Sequence, residues 1–148
     1  MPNIQELVDG LMNHDDKEAY NCLKELEAKS SSSSGVYPFF DTFVAMLDSD
    51  NSYIRTRGIL LIAANARWDI ENKIDKIIDS YLKCITDEKP ITVRQFIKAL
   101  PAIAKYKPGL RKVIETTLNQ ANLSSYQENM QSLILKDIQK ALREISMP

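Results

Sequence analysis

Residues 48–68, DSDNSYIRTRGILLIAANARW, decide the fold, because a similar stretch follows later in the chain. The turn and helix start at residues 47–55 (LDSDNSYIR) are matched by residues 86–94 (TDEKPITVR), so that Arg55 corresponds to Arg94 at an offset of 39 residues. Both stretches combine a turn rich in acidic residues with an apolar helix that has a basic residue in its first turn. Repeats of this length that are built from helix pairs are typical of α-solenoids.

Apolar residues recur at helical spacing in eight segments, which pair into four helix–turn–helix units. We therefore expect an all-α fold in the form of a right-handed superhelical stack. The fourth helix, about residues 52–67, is apolar nearly all round, which predicts that it lies at the centre of the core. The serine run in residues 30–35 has too little apolar surface to fold and predicts a flexible linker. The expected organisation is one domain, 1–148, with a loosely tethered first helix pair (1–29) and the remaining repeats in 36–148.

Composition argues against several classes of function. The chain has 148 residues, of which 44% are hydrophobic and 26% charged, as in an ordinary soluble domain. His14 is the single histidine, and Cys22 and Cys84 are far apart, so we expect no metal, no cofactor and no Ser–His or Cys–His catalytic pair. The longest apolar run, residues 59–64, is too short to span a bilayer, and the first residues do not have the pattern of a signal peptide. These features predict a cytoplasmic protein that is not an enzyme.

Charge is distributed unevenly along the chain. Residues 1–50 contain ten acids and three lysines, whereas residues 51–148 contain ten acids and sixteen bases. The predicted helices at 52–68 and 90–107 contain several bases and no acid. As second helices of their pairs they would line one inner face and form a basic groove, whose best candidate residues are Arg55, Arg57, Arg94, Lys98 and Lys105. Such a groove attracts acidic protein segments or phosphate backbones, but the same bases could equally form a solvated face that offsets the acidic N-terminal part.

The matched stretches resemble HEAT repeats. The features that carry the resemblance are a polar turn, a branched apolar residue followed by Arg55 or Arg94, and then small and apolar residues such as Leu61 and Leu100. The resemblance covers the two central helix pairs well and the outer pairs weakly. The whole chain is similar to small single-domain HEAT-like proteins of Gram-positive bacteria, most of which have no assigned activity. The resemblance implies that Arg55 and Arg94 each bond an acid in the turn of a neighbouring unit.

Three functions are compatible with these features. The first is a non-enzymatic scaffold or adaptor that binds a protein partner, such as an acidic helix or tail, in the basic groove. The alternative is binding to a nucleic-acid backbone, as in HEAT-like DNA alkylation-repair proteins, although those need a longer superhelix and a stronger basic balance. A third is weak self-association of an otherwise monomeric protein, in which the acidic N-terminal part binds the groove of another copy. Trp68, the sole tryptophan, is predicted to fill space between two helix pairs rather than to anchor a partner.

Overall fold

The computed structural model describes residues 2–147, and within this range it contains eight α-helices and no β-strand. The helices are α1 (Ile4–Gly10), α2 (Asp16–Ser32), α3 (Phe40–Met46), α4 (Ser52–Ala64), α5 (Lys73–Leu82), α6 (Pro90–Tyr106), α7 (Arg111–Asn119) and α8 (Glu128–Ser146). Short 3-10 helices lie at Tyr37–Phe39, Ala66–Trp68, Lys83–Thr86 and Pro108–Leu110. The prediction of an all-α protein is thereby confirmed. The chain divides into two compact units, of which unit 1 ends at Lys73 and unit 2 begins at Ile74.

Polar caps and prolines set the starts of several helices. Asn3, Asp15 and Asn51 each precede a helix, and their side chains accept hydrogen bonds from amide groups of its first turn. α6 begins at Pro90, where the missing N–H would have had no partner within the helix. The same helix continues through Pro101, although this residue has no N–H to donate to the carbonyl four residues earlier.

Unit 1 is built from the two helical hairpins α1–α2 and α3–α4. As predicted for its apolar sequence, α4 is covered on most sides, and residues 57–59 and 61–63 are buried. Gly58 lies where α4 approaches α3 so closely that a Cβ at this position would be 2.7 Å from the carbonyl oxygen of Phe43. The core around this contact consists of fully buried side chains, among them Leu11, Leu26, Phe40, Phe43, Ile59 and Leu61.

The serine run is the end of a packed helix. α2 extends from Asp16 to Ser32 and so includes the first three of the five serines. Ser30 is fully buried, and its hydroxyl donates a hydrogen bond to the carbonyl of Leu26 at 2.8 Å. The prediction of a flexible linker over 30–35, with a loosely tethered helix pair in 1–29, is therefore wrong. The physical reason is that the run has partners elsewhere in unit 1, which composition alone does not reveal.

Three side chains that follow α4 hold the end of α2. Trp68 donates its indole N–H to the carbonyl of Ser30 at 2.7 Å, and Arg67 donates to the carbonyl of Ser31 at 2.7 Å. The amide of Asn65 donates to the hydroxyl of Ser30 at 3.2 Å. The last carbonyls of a helix have no partner within it, so the bonds from Trp68 and Arg67 satisfy two of them. All three bonds join α2 to the α3–α4 hairpin. Trp68 is half-buried, and its indole N–H links the residues after α4 to the end of α2.

In each unit the second helices of the two hairpins lie side by side and run in the same direction. In unit 1, Asp16 at the start of α2 contacts Arg57 near the start of α4, while the ends of both helices meet at Ser30. In unit 2, which consists of the hairpins α5–α6 and α7–α8, Arg94 near the start of α6 contacts Asp137 of α8. Residues further along α6 lie beside residues further along α8.

A buried phenol–carboxylate pair joins two turns of unit 1. The hydroxyl of Tyr37 donates a hydrogen bond to Asp69 at 2.6 Å, and Asp69 also accepts one from the amide of Lys73 at 2.8 Å. Asp69 is 5% exposed. Burial, followed by the hydrogen bond to Asp69 and its negative charge, raises the pKa of Tyr37 far above its ordinary value.

We expect Tyr37→Phe to reduce the loss of stability at high pH. Because the pKa of Tyr37 is raised in the folded state, the unfolded chain releases this proton first as the pH rises above about 10. The contribution of Tyr37 to the free energy of unfolding is fully present below about pH 10. As the pH rises further, this contribution falls by up to about 1.4 kcal/mol per pH unit. Urea unfolding between about pH 8 and pH 11 should therefore show a shallower decline for Tyr37→Phe than for the wild type. Equal declines would contradict this role of the pair.

Candidate functional site

A two-pronged ion pair joins α6 to α8. Nε of Arg94 donates to one carboxylate oxygen of Asp137 at 2.6 Å, and a terminal nitrogen donates to the other at 3.4 Å. The hydrogen bond to Asp137 raises the pKa of Arg94, so the guanidinium stays charged. Arginine–carboxylate pairs of this kind add geometric specificity to their energy. The pair neutralises both charges and sets the register of the two helices.

Two adjoining cavities open between α6 and α8 beyond this ion pair. The smaller has a volume of about 190 Å³ and is lined by Lys98, Pro101, Asp137, Lys140, Ala141 and Glu144. The larger, of about 460 Å³, adds the bases Lys105 and Arg111 and the apolar side chains Ala102, Ala104, Ile145 and Met147. Pro101 and Glu144 border both cavities. We therefore treat the two as one continuous depression and name it the α6–α8 groove.

The groove has an excess of positive charge. It is lined by four bases and two acids, and one of the acids, Asp137, is already neutralised by Arg94. Lys140 lies 4.0 Å from the other acid, Glu144, and both of these side chains are largely exposed, which makes the pair weak. The other three bases of the groove are Lys98, Lys105 and Arg111. All three are exposed, and none forms an ion pair with another residue in the range 2–147. Three cations are thus available to an anionic ligand.

The structure brings together two of the five residues that were predicted to form a basic groove. Lys98 and Lys105 both lie on α6, are exposed and line the α6–α8 groove. Arg94 shares their face of the helix, but its charge is held by Asp137. The resemblance predicted that Arg94 bonds an acid in the turn of a neighbouring unit. This prediction is wrong, because its partner Asp137 lies within α8 and not in a turn.

Arg55 and Arg57 belong to unit 1 and have structural partners there. Arg57 is only 6% exposed, donates to the carbonyl of Leu11 at 2.9 Å and lies 3.3 Å from Asp16. Arg55 is half-buried and donates to the carbonyl of Ser49, in the turn before α4, at 3.0 Å. The prediction that Arg57 lines an open groove is therefore wrong, because its guanidinium joins the two hairpins of unit 1.

Two bases of the groove, Arg111 and Lys140, were not predicted from the sequence. Arg111 begins α7 and Lys140 lies in the middle of α8, so neither follows the basic stripe of α6. Lys140 is three residues after Asp137 and hence on the same face of α8. If Asp137 had been known as the partner of Arg94, this face of α8 could have been assigned to the groove. The sequence does not specify which acid pairs with Arg94.

Comparison with known proteins gives no family for this chain, since no protein-family model, curated protein or solved structure matches it. Across residues 2–147, no group of three or more His, Cys, Asp or Glu side chains is arranged so that it could hold a metal ion. None of the helices in that range has the length and apolar character needed to cross a membrane. The α6–α8 groove is therefore the feature of this chain that points to a function.

Proposed function

We propose that the protein is a non-enzymatic binding module that holds an acidic segment of a partner protein in the α6–α8 groove. The observation that supports this most strongly is that three exposed bases line the groove without acidic partners among the described residues: Lys98, Lys105 and Arg111. Cations along a groove attract carboxylates and favour their association with the surface. Because Arg94 and Asp137 already fix the helices, little ordering of the backbone is needed when a ligand binds.

An acidic peptide suits the groove better than a nucleic-acid backbone does. Glu144 borders both cavities and would repel a negative charge that lies next to it. A peptide can place a neutral residue at this point, whereas a nucleic-acid strand carries a charge on every nucleotide. None of the residues that line the two cavities is aromatic, and base stacking on aromatic side chains is the usual means of holding single strands.

A HEAT-like kinship and a scaffold role are part of the same proposal. The kinship is supported by the matched stretches at 47–55 and 86–94 and by the parallel second helices within each unit. In an α-solenoid the second helices line one inner face, which is where such repeats present extended binding surfaces. The α6–α8 groove lies between two second helices and so coincides with the surface that this kinship implies.

Charge reversal in the groove tests the proposal. We expect Lys98→Glu combined with Lys105→Glu to weaken binding of a labelled peptide of about eight glutamates by at least about tenfold, because two attractions become repulsions. Fluorescence anisotropy at low salt measures the affinity. The matched control is Lys76→Glu with Lys83→Glu, which alters net charge equally at exposed positions that do not line the groove. This control should change the affinity by less than about threefold.

Each alternative function has its own outcome in this experiment. Equal losses in the two double variants would contradict the proposal, since only net charge would then matter. Tighter binding of single-stranded DNA of matched charge would favour the nucleic-acid alternative. A dimer in sedimentation that dissociates with added salt would favour self-association through the acidic N-terminal part. Circular dichroism of every variant verifies that the fold is retained.

A further inference from the structure

Building on the function proposed above, we infer that the partner segment carries an apolar residue at one end of its acidic stretch. This residue packs between Ile91 of α6 and Leu133 of α8, two exposed apolar side chains that continue the α6–α8 groove on the other side of the Arg94–Asp137 ion pair. We name the surface formed by Ile91 and Leu133 the apolar end of the groove.

Helical spacing places both side chains on the faces that border the groove. Ile91 is three residues before Arg94 and so shares its face of α6. Leu133 is four residues before Asp137 and so shares its face of α8. Because Arg94 and Asp137 contact each other, these two faces meet. Ile91 is nevertheless 60% exposed and Leu133 is 36% exposed, so a ligand can reach both side chains.

The register of the two helices places Ile91 and Leu133 opposite each other. α6 and α8 run in the same direction, and the two members of the ion pair are separated by 43 residues in the chain. Lys98 and Lys140, which both line the smaller cavity, are separated by one residue fewer. Ile91 and Leu133 have the same separation as these two lysines, so they lie at one level on either side of the groove. The first turns of the two helices therefore present one apolar surface that leads into the basic part of the groove.

One short segment can cover both parts of the groove. Ile91 and Lys98 are seven residues apart, or roughly 10 Å along α6 at about 1.5 Å per residue. An extended peptide covers this distance with about three residues of about 3.3 Å each. Carboxylates of the segment are attracted to the bases, while an apolar residue packed against Ile91 and Leu133 removes apolar surface from water. The segment is therefore acidic along the bases and apolar at the end that lies beyond the ion pair.

Peptides of identical composition test the inference. Each contains the same glutamates and a single leucine at the first, the central or the last position, and both terminal positions are needed because a segment can lie in the groove in either direction. We expect at least one terminal leucine to raise the affinity for the wild-type protein about fivefold over the central one, since a central leucine at the apolar end leaves only half of the glutamates beside the bases. The affinities are measured by competition with the labelled peptide of glutamates used above, the all-glutamate peptide.

The outcomes separate this inference from the proposed function. Equal affinities of the three peptides, or tightest binding with the central leucine, would overturn the inference and leave the proposed function in place. No measurable binding of any acidic peptide would overturn both.

Serine substitutions locate the bound apolar residue. Ile91→Ser and Leu133→Ser each remove apolar surface at the apolar end, and both should lose most of the preference for a terminal leucine while they retain the affinity of the wild type for the all-glutamate peptide. Leu135→Ser is the matched control, because Leu135 is 49% exposed and is two residues after Leu133, on another face of α8. This control should retain the preference.

If the preference survives in Ile91→Ser and Leu133→Ser, or if Leu135→Ser loses it equally, the inference is overturned. Circular dichroism verifies the fold of each variant. Ile91 is the more exposed of the two residues, so Ile91→Ser decides the question by itself if Leu133→Ser is unstable.

Discussion

Gly58→Ala is expected to lower the free energy of unfolding by about 2 to 3 kcal/mol, although alanine is the better helix former. The added Cβ would lie 2.7 Å from the carbonyl oxygen of Phe43 and 2.9 Å from Cβ of Met46, both shorter than normal contacts. Neither atom can move without moving the backbone of α3. Since Phe43 and Met46 are buried, separation of α3 from α4 would loosen the core of unit 1.

Urea unfolding of the purified variant measures this effect. Gly109→Ala is the matched control, because no atom lies within 4 Å of the position that its Cβ would occupy. The control should differ from the wild type by less than about 0.5 kcal/mol. If Gly58→Ala were as stable as the control, the close packing of α3 against α4 would be contradicted.

Arg57→Met is expected to lower the free energy of unfolding by about 2 to 3 kcal/mol, because a buried carbonyl loses a charged donor. Leu11 is fully buried, and its carbonyl accepts a hydrogen bond from Arg57. Methionine has a similar length and an apolar side chain, so packing is largely kept while this bond is removed. The ion pair with Asp16 adds little, since that carboxylate is 60% exposed.

Substitution of Lys98 by methionine distinguishes a base that binds a ligand from one, such as Arg57, that stabilises the fold. Lys98→Met changes an exposed residue of the groove and should leave stability within about 0.5 kcal/mol of the wild type. It should weaken binding of the all-glutamate peptide, whereas Arg57→Met should not. Chemical denaturation and fluorescence anisotropy of both variants check this pattern. Weaker peptide binding by Arg57→Met at unchanged stability would restore Arg57 to the binding site.

Much of the helical organisation could be predicted because it depends on residues that are close together in the chain. Asp15 caps α2 through the amides that follow it, and the apolar sequence of α4 predicted its burial. The serine run was misjudged because its partners, Asn65, Arg67 and Trp68, are more than thirty residues away. A segment whose composition is typical of a linker can still form the end of a helix when side chains from distant residues donate to its carbonyls.

The candidate site could be predicted only in part for the same reason. The bases of α6 follow helical spacing, so Lys98 and Lys105 were expected to share a face. By itself, the sequence determined the all-α class, the approximate position of eight helices and this basic stripe. Only the tertiary structure decided that Arg57 is buried, that Arg94 is neutralised by Asp137, and that α8 and Arg111 complete the groove. Helix formation depends on neighbours within about four residues, whereas the pairing of charges depends on which helix faces meet in the folded chain.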